Sequence, residues 1–231
     1  MIAEKAAADA VSADQKQWYR WGGVAALALA VGYIVIIPLF ARVGAPPSGG
    51  EAFFKYLPGK TKIWWVILWI SVFTDLLYVP LALVLYTALK AVNKNVMRLA
   101  AAFIGIFVVV DLAITWSHYA SILSLYNSYA AAADDAHRAA FLAAAEYAAA
   151  VLATPLEVVY AITILSIGVL LIGILMLKSQ FGLIPAYLGL ITGVLGIVSL
   201  TGWHLAIIGN ALFATLWLFF VGFRLIRLAS Q

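Results

Sequence analysis

Six long apolar stretches dominate this chain and limit the folds that are open to it. They run from about Trp21 to Leu39, Ile63 to Leu89, Leu99 to Tyr126, Val151 to Leu177, Leu183 to Leu200 and Leu205 to Phe223. Each approaches or exceeds the ~20 residues that a helix needs to cross a bilayer. Only 10% of the 231 residues are charged, against about 25% in a soluble domain. The sequence therefore predicts an all-α protein, a six-helix transmembrane bundle.

The remaining segments suggest a single membrane domain. We expect residues 1–20 to form a cytoplasmic N-terminal segment and residues 21–228 to form one six-span transmembrane domain. The polar, Ala-rich beginning lacks the apolar core of a signal peptide, so we expect no cleavage there. The chain contains no cysteine, which excludes disulfides.

Basic residues between the spans predict the orientation of the bundle. One side carries nine of them, at positions Lys5, Lys16, Arg20, Lys90, Lys94, Arg98, Lys178, Arg224 and Arg227. The other side carries five, Arg42, Lys55, Lys60, Lys62 and Arg138. The positive-inside rule then predicts that both termini are cytoplasmic. Because these charges flank apolar spans and form no separate basic stripe, we expect no nucleic-acid partner.

Two segments carry packing signals. An Ala-rich stretch between spans three and four predicts an outer helix that begins at Asp134 or Asp135 and ends near Pro155. This helix is either a plain surface helix or a lid over an outward-facing cavity. In the fifth span, glycines at positions 182, 189, 193 and 196 share one helical face. That face favours close packing within the bundle over dimerisation.

Three carboxylates, Asp75, Asp111 and Glu157, lie inside the apolar spans. An ionised side chain near the centre of the hydrocarbon costs roughly 2.5–3.5 kcal/mol on insertion scales, so such residues mark functional sites by default. These acids must be paired, protonated or hydrated.

Spacing predicts that Asp75 and Asp111 meet. Both lie near mid-membrane on antiparallel spans, about 15–18 Å deep at 1.5 Å per helical residue. Ser71, Thr74 and Tyr78 share the helical stripe of Asp75, and Thr115 and His118 share that of Asp111. Polar stripes in lipid should face the bundle interior. If the two carboxylates approach closely, one should keep its proton near neutral pH, because like charges repel.

A second, shallower group of polar residues lies nearer the outer surface. Glu157, His118, His204 and Asn210 can converge there into an outward-facing polar pocket with the two aspartates as its floor. The candidate ligand-binding residues are therefore Asp75, Tyr78, Asp111, Thr115, His118, Glu157, His204 and Asn210.

Four explanations of these residues stay open. The acids are structural, as in a non-catalytic accessory or assembly subunit of a membrane complex, or they bind or conduct a proton, a cation or a small polar ligand. Alternatively His118, Glu157 and His204 bind a metal in an intramembrane metal-dependent enzyme, or two histidines hold haem. No phosphate-binding loop, nucleophile elbow or dinucleotide motif is present, and we assign no catalytic residue. Cofactors, metal content and oligomeric state stay open.

Three tracts resemble a known family. They are YAAAADDAHRAAFLAAAEYAAAVL, GLIPAYLGLITGVLGIVSL and ALFATLWLFFVGFRLIRLA, and together they resemble a bacterial domain-of-unknown-function family of multi-pass membrane proteins. The likeness extends over much of the chain from the second span onward. It implies an integral plasma (inner) membrane protein of about six or more helices, with the lipid bilayer as its environment. It implies no activity and no catalytic residues.

Overall fold

A computed structural model describes the backbone of residues 2–230 and the side chains of residues 14–230. Its helices in chain order are α1 (Ile2–Val43), α2 (Gly50–Tyr56), α3 (Thr61–Leu89), α4 (Lys94–Ala131), α5 (Asp135–Leu152), α6 (Pro155–Met176), α7 (Leu183–Val198) and α8 (His204–Ala229). Within the described residues, six of them (α1, α3, α4, α6, α7 and α8) are long and apolar enough to span a membrane. The predicted all-α six-helix bundle is confirmed, and the chain is a multi-pass membrane protein.

The six spans form a closed ring in sequence order. Each packs against the next one along the chain, from α1 to α3, α4, α6, α7 and α8, and α8 returns to α1. The connections from α3 to α4, from α6 to α7 and from α7 to α8 are short, and short connections make consecutive helices antiparallel neighbours. Six crossings put residues 14 and 230 on the same side of the bundle, which we call the termini side. The opposite side, which carries α2 and α5, is the loop side.

The first helix is longer than the first predicted span. It begins at Ile2 and continues without a break to Val43, so the residues before Trp21 belong to the same helix as the span. Alanine-rich sequence has high helix propensity, which accounts for this extension.

The predicted outer helix is present as α5. Its N-cap is Asp134, whose Oδ1 accepts a hydrogen bond from the backbone N–H of His137 at 2.9 Å. Ala145, Ala148 and Ala149 are buried where α5 packs against α2 and the end of α4, and the backbone of Ala145 lies beside Gly50 of α2. Small side chains allow α5 and α2 to approach closely on the loop side.

Three of the four glycines in the fifth span pack inside the bundle, as predicted. Gly189 and Gly193 contact α6, and Gly189 also contacts Trp217 of α8. Gly196 lies against both Ser166 and Asn210. Gly182 does not share this role. It is the N-cap of α7 with φ 88°, in open space, because the helix that would have placed it on the packing face begins only after it.

Two spans contain π-helical segments, and these segments contact each other where α4 meets α6. The first π-segment is Asp111–Trp116 in α4, and the second is Val159–Thr163 in α6. Regular α-helix forms the rest of both spans. Such π-turns are rare and often mark functional sites.

Candidate functional site

Asp75 and Asp111 meet at a single indole N–H. Nε1 of Trp116 donates hydrogen bonds to Oδ2 of Asp75 at 2.9 Å and to Oδ2 of Asp111 at 3.1 Å. The predicted meeting of the two acids is thus seen in the structure, and a tryptophan that the sequence did not single out joins them. We call these three residues the carboxylate–indole cluster.

The first π-segment brings Trp116 to Asp111. The two residues are its last and first members, five positions apart. In a regular α-helix five residues correspond to a rotation of about 500°, which leaves the side chains about 140° apart. The wider π-turn, with its i→i+5 hydrogen bonding, aligns them on one face. Asp75 then approaches the same indole from α3.

Two polar side chains that directly follow this π-segment donate hydrogen bonds to carbonyls within it. Ser117 Oγ donates to the carbonyl of Ala113, and His118 Nδ1 donates to the carbonyl of Ile114 at 2.6 Å. The His118 ring also lies beside Tyr147 of α5, with ring centroids 6.1 Å apart. A hydrogen bond to a backbone carbonyl uses one ring nitrogen of His118, so the structure gives this residue a role in stabilising the π-turn.

Neither aspartate has a basic partner among the described residues. Asp75 is 4% exposed and Asp111 is 3% exposed. The ion pairs among residues 14–230 lie at the loop side, and they are Lys55–Glu51, His137–Asp134 and Arg138–Asp135. Two acids are therefore adjacent and buried, with an indole N–H between them and no positive side chain to balance them.

Two buried oxygen atoms in and beside the cluster lack a hydrogen-bond partner within residues 14–230. Asp111 Oδ1 and Thr115 Oγ1 are buried and have no hydrogen-bond partner among the described residues. Thr115 belongs to the same π-segment as Asp111 and is 2% exposed. Buried polar atoms are nearly always partnered in folded proteins, so these two oxygens are the unsatisfied part of the site.

A pair of tyrosines lies on the termini side of the cluster. Tyr78 is one helical turn beyond Asp75 on α3, and its hydroxyl lies 3.0 Å from that of Tyr33 on α1. The ring of Tyr78 packs edge-on against Phe107, with centroids 5.6 Å apart. Tyr78 was predicted as a site residue. Tyr33 was missed, because a lone tyrosine in the first span carries no periodic polar signal.

On the loop side, aromatic rings separate the cluster from the surface. Tyr119 stacks on Trp64 at 5.1 Å and adjoins Trp116 at 5.8 Å. Tyr119 also lines a depression of about 110 Å³ open to the loop side, together with Pro46, Pro47, Phe53, Ala149 and Leu152. We predicted an outward-facing pocket with the two aspartates as its floor. In the structure, neither aspartate lines this depression. The aspartates are buried, and Tyr119, eight residues beyond Asp111 toward the loop side, lines the depression.

Asn210 belongs to a different polar cluster. Its Nδ2 donates to Ser166 Oγ at 3.1 Å and to the Thr192 carbonyl at 2.8 Å. Thr163, in the second π-segment, donates to the Gly196 carbonyl at 3.4 Å. This cluster joins α6, α7 and α8, so Asn210 contributes to helix packing and makes no hydrogen bond to the aspartates.

Glu157 and His204 make no hydrogen bond to the aspartates among the described residues, although Glu157 lies near enough to Asp111 for their charges to interact. Glu157 is half-buried in the first turn of α6, and His204 is exposed at the start of α8. Within residues 14–230, no three His, Asp or Glu side chains are close enough to hold a metal ion. The positions of His118, Glu157 and His204 therefore do not support a shared metal site.

On the loop side, a hydrogen bond between a backbone N–H of α2 and a carboxylate of α5 holds the two helices together. Glu146 of α5 accepts a hydrogen bond from the backbone N–H of Glu51 at 2.9 Å, in the first turn of α2. The backbone N–H groups of Glu51 and Gly50 lower the pKa of Glu146 below its usual value of 4.5. The backbone N–H of His137, and then its side chain, likewise lower the pKa of Asp134. Glu146 thus stabilises the start of α2, and Asp134 stabilises the start of α5.

The chain matches no protein-family model, and comparison with curated proteins and with solved structures found no match.

Proposed function

We propose that the carboxylate–indole cluster is a proton-binding centre through which this membrane protein moves protons across the bilayer. The observation that supports the proposal most directly is the single N–H of Trp116 shared by two buried carboxylates that have no basic partner. Charge repulsion between two ionised carboxylates is strong in a low-dielectric interior. One bound proton removes one of the two charges and needs no extra space.

Tyrosine hydroxyls on either side of the cluster support the same function. The hydroxyls of Tyr33 and Tyr78 lie toward the termini side, and each hydroxyl can donate and accept a hydrogen bond. Tyr119 and the 110 Å³ depression lie toward the loop side. A proton entering from the depression reaches the aspartates past Trp116 and leaves toward the tyrosine pair.

A small cation is a second candidate occupant. The unpartnered oxygens of Asp111 and Thr115 favour it, since carboxylate and hydroxyl oxygens are ligands for hard cations. A sodium ion coupled to, or replacing, the proton uses the same residues.

We also propose that both termini are cytoplasmic and that the protein lies in a bacterial plasma (inner) membrane. The excess of basic residues on the termini side supports a cytoplasmic location for both termini. The resemblance of three tracts to a bacterial multi-pass family supports a plasma (inner) membrane location.

The proposal can be tested with purified protein in liposomes. The liposomes contain a pH-sensitive dye, and a potassium diffusion potential drives proton entry. We expect wild-type liposomes to acidify at least tenfold faster than protein-free ones, and Asp75→Asn and Asp111→Asn to abolish the difference. Asp135→Asn serves as a control, because that side chain is 99% exposed on α5. Uptake of radioactive sodium by the same liposomes identifies a cation as the occupant.

An infrared spectrum tests proton binding without transport. We expect the wild type at neutral pH to show the C=O stretch of a protonated carboxyl group, and the variant carrying both Asn substitutions to lack it. Wild-type liposomes that acidify no faster than empty ones, together with an unchanged infrared spectrum in the double variant, would show that the aspartates serve packing alone.

A further inference from the structure

A groove opens on the termini side between the start of α7 and the last turns of α8. Its volume is about 330 Å³, and its lining includes Phe181, Leu183, Phe220, Phe223, Arg224 and Arg227. Two guanidinium groups and several apolar side chains thus share one groove. It lies at the end of the bundle opposite the 110 Å³ depression.

The two arginines have no acidic partner among residues 14–230. Arg224 donates through Nε to the carbonyl of Gln180 at 2.8 Å, and one of its Nη atoms contacts the same oxygen. This contact holds the guanidinium in place but leaves its charge uncompensated. Arg227, three residues later, is exposed. Positions three apart lie on one helical face, so both charges belong to the same groove.

The apolar part of the groove faces the surrounding medium. Leu183 is 61% exposed and Phe223 is 53% exposed, and in a membrane-spanning helix such side chains contact lipid tails. The arginines lie in the last turns of α8, where a span leaves the hydrocarbon. The groove is therefore apolar toward the membrane centre and positive toward the interface.

We propose that this groove binds an anionic phospholipid, with its phosphate at Arg224 and Arg227 and an acyl chain along Phe220 and Phe223. Basic pockets between transmembrane helices suit anionic headgroups, and each arginine near the surface contributes about fivefold to such binding. The apolar lining commits the site to a lipid, since a free phosphate gains nothing from it. The groove shares no residue with the carboxylate–indole cluster, so a lipid can bind here whether or not the cluster carries protons.

The test uses native mass spectrometry of the full chain in detergent, titrated with phosphatidylglycerol or phosphatidylcholine. We expect wild-type protein to retain bound phosphatidylglycerol at concentrations where phosphatidylcholine is lost. Arg227→Gln should weaken phosphatidylglycerol binding about fivefold. Arg98→Gln is the matched control, because Arg98 is also exposed on the termini side but belongs to α4. It should leave binding unchanged.

Two further measurements separate a lipid from its headgroup. Phe220→Ala keeps both charges, and we expect it to weaken phosphatidylglycerol binding as well. Millimolar inorganic phosphate should not displace the lipid. Thermal unfolding of Arg227→Gln in detergent checks that the variant is folded. Equal losses in Arg227→Gln and Arg98→Gln, equal binding of the two lipids, or displacement by phosphate would overturn the proposal.

Discussion

Trp116 and Asp111 are five residues apart in the chain, yet Nε1 of the tryptophan lies 3.1 Å from Oδ2 of the aspartate. A regular α-helix would point these side chains in different directions. The π-segment from Asp111 to Trp116 aligns the two side chains on one face of the helix. The same N–H also donates to Asp75 on the neighbouring span at 2.9 Å. A local change of helix geometry is thus what connects two membrane-buried acids.

Replacement of Trp116 by phenylalanine tests this connection. Trp116→Phe keeps a ring but removes the N–H that both carboxylates share, so we expect the free energy of unfolding to fall by about 1–3 kcal/mol. Chemical unfolding in detergent micelles measures the change. Trp203→Phe is the control, since Trp203 is 54% exposed, and it should stay within about 0.5 kcal/mol of wild type. Equal effects of the two substitutions would contradict a special role for the indole.

His118 provides a second test, because it separates a structural role from metal binding. Its Nδ1 donates to the carbonyl of Ile114, and His118→Ala leaves that carbonyl without this partner. We expect a loss of about 0.5–1.5 kcal/mol in unfolding free energy, with proton flux in liposomes close to wild type. His204→Ala, at an exposed position, should change neither quantity. Stoichiometric zinc or iron in purified wild type, lost in His118→Ala, would instead support a ligand role.

The contact between α5 and α2 should depend on pH. Hydrogen bonds from Glu51 and Gly50 lower the pKa of Glu146 in the folded state. A lowered folded-state pKa means that the stabilisation is complete above the unfolded value of 4.5 and is lost as the pH falls through the lower folded value. We expect the amides of Gly50 and Glu51 to lose protection from hydrogen exchange below about pH 4.5.

The matched variant for this experiment is Glu146→Gln, which cannot ionise. Its Gly50 and Glu51 amides should be less protected than wild type at pH 7, and their protection should not change across the acid range once intrinsic exchange is corrected for. Protection that falls equally in both proteins would assign the pH dependence to another group.

Two glycines should respond in opposite ways to the same substitution. A Cβ at Gly193 would collide with Leu170 of α6, whereas a Cβ at Gly105 on α4 would meet nothing within 4 Å. Gly193→Ala should therefore destabilise the protein by about 1–3 kcal/mol through overpacking. Gly105→Ala should stabilise it by about 0.5–1 kcal/mol through helix propensity. Thermal unfolding in detergent gives both signs, and a stabilising effect at Gly193 would mean that α6 and α7 can move apart at little cost.

Much of the architecture was predictable from the order of residues alone. The lengths of the apolar stretches identified six spans, because the thickness of a bilayer sets the length of a helix that crosses it. The alanine-rich tract identified the outer helix that begins at Asp135, and the periodicity of Gly189, Gly193 and Gly196 identified a packing face. Each of these properties depends on neighbours within one helix, so sequence spacing is enough to find it.

The candidate site was predictable in part. Similar depths on antiparallel spans indicated that Asp75 and Asp111 meet, because an acid in hydrocarbon must find a polar partner. The same spacing placed His118 in the site, but in the structure its Nδ1 donates to a carbonyl of its own helix. It also grouped Asn210 with the aspartates, whereas Asn210 joins α6, α7 and α8.

Only the tertiary structure decided which groups converge. The sequence by itself determined the number of spans and the presence of buried acids that need partners, since hydrophobicity and helical rise are local properties. Tertiary packing brought Trp116 between the two aspartates and placed Tyr33 beside Tyr78. Those contacts depend on a π-turn and on the order of the helices around the ring. The π-turn and the helix order both result from side chains that meet across different spans. The spacing of residues along one helix contains no information about such contacts.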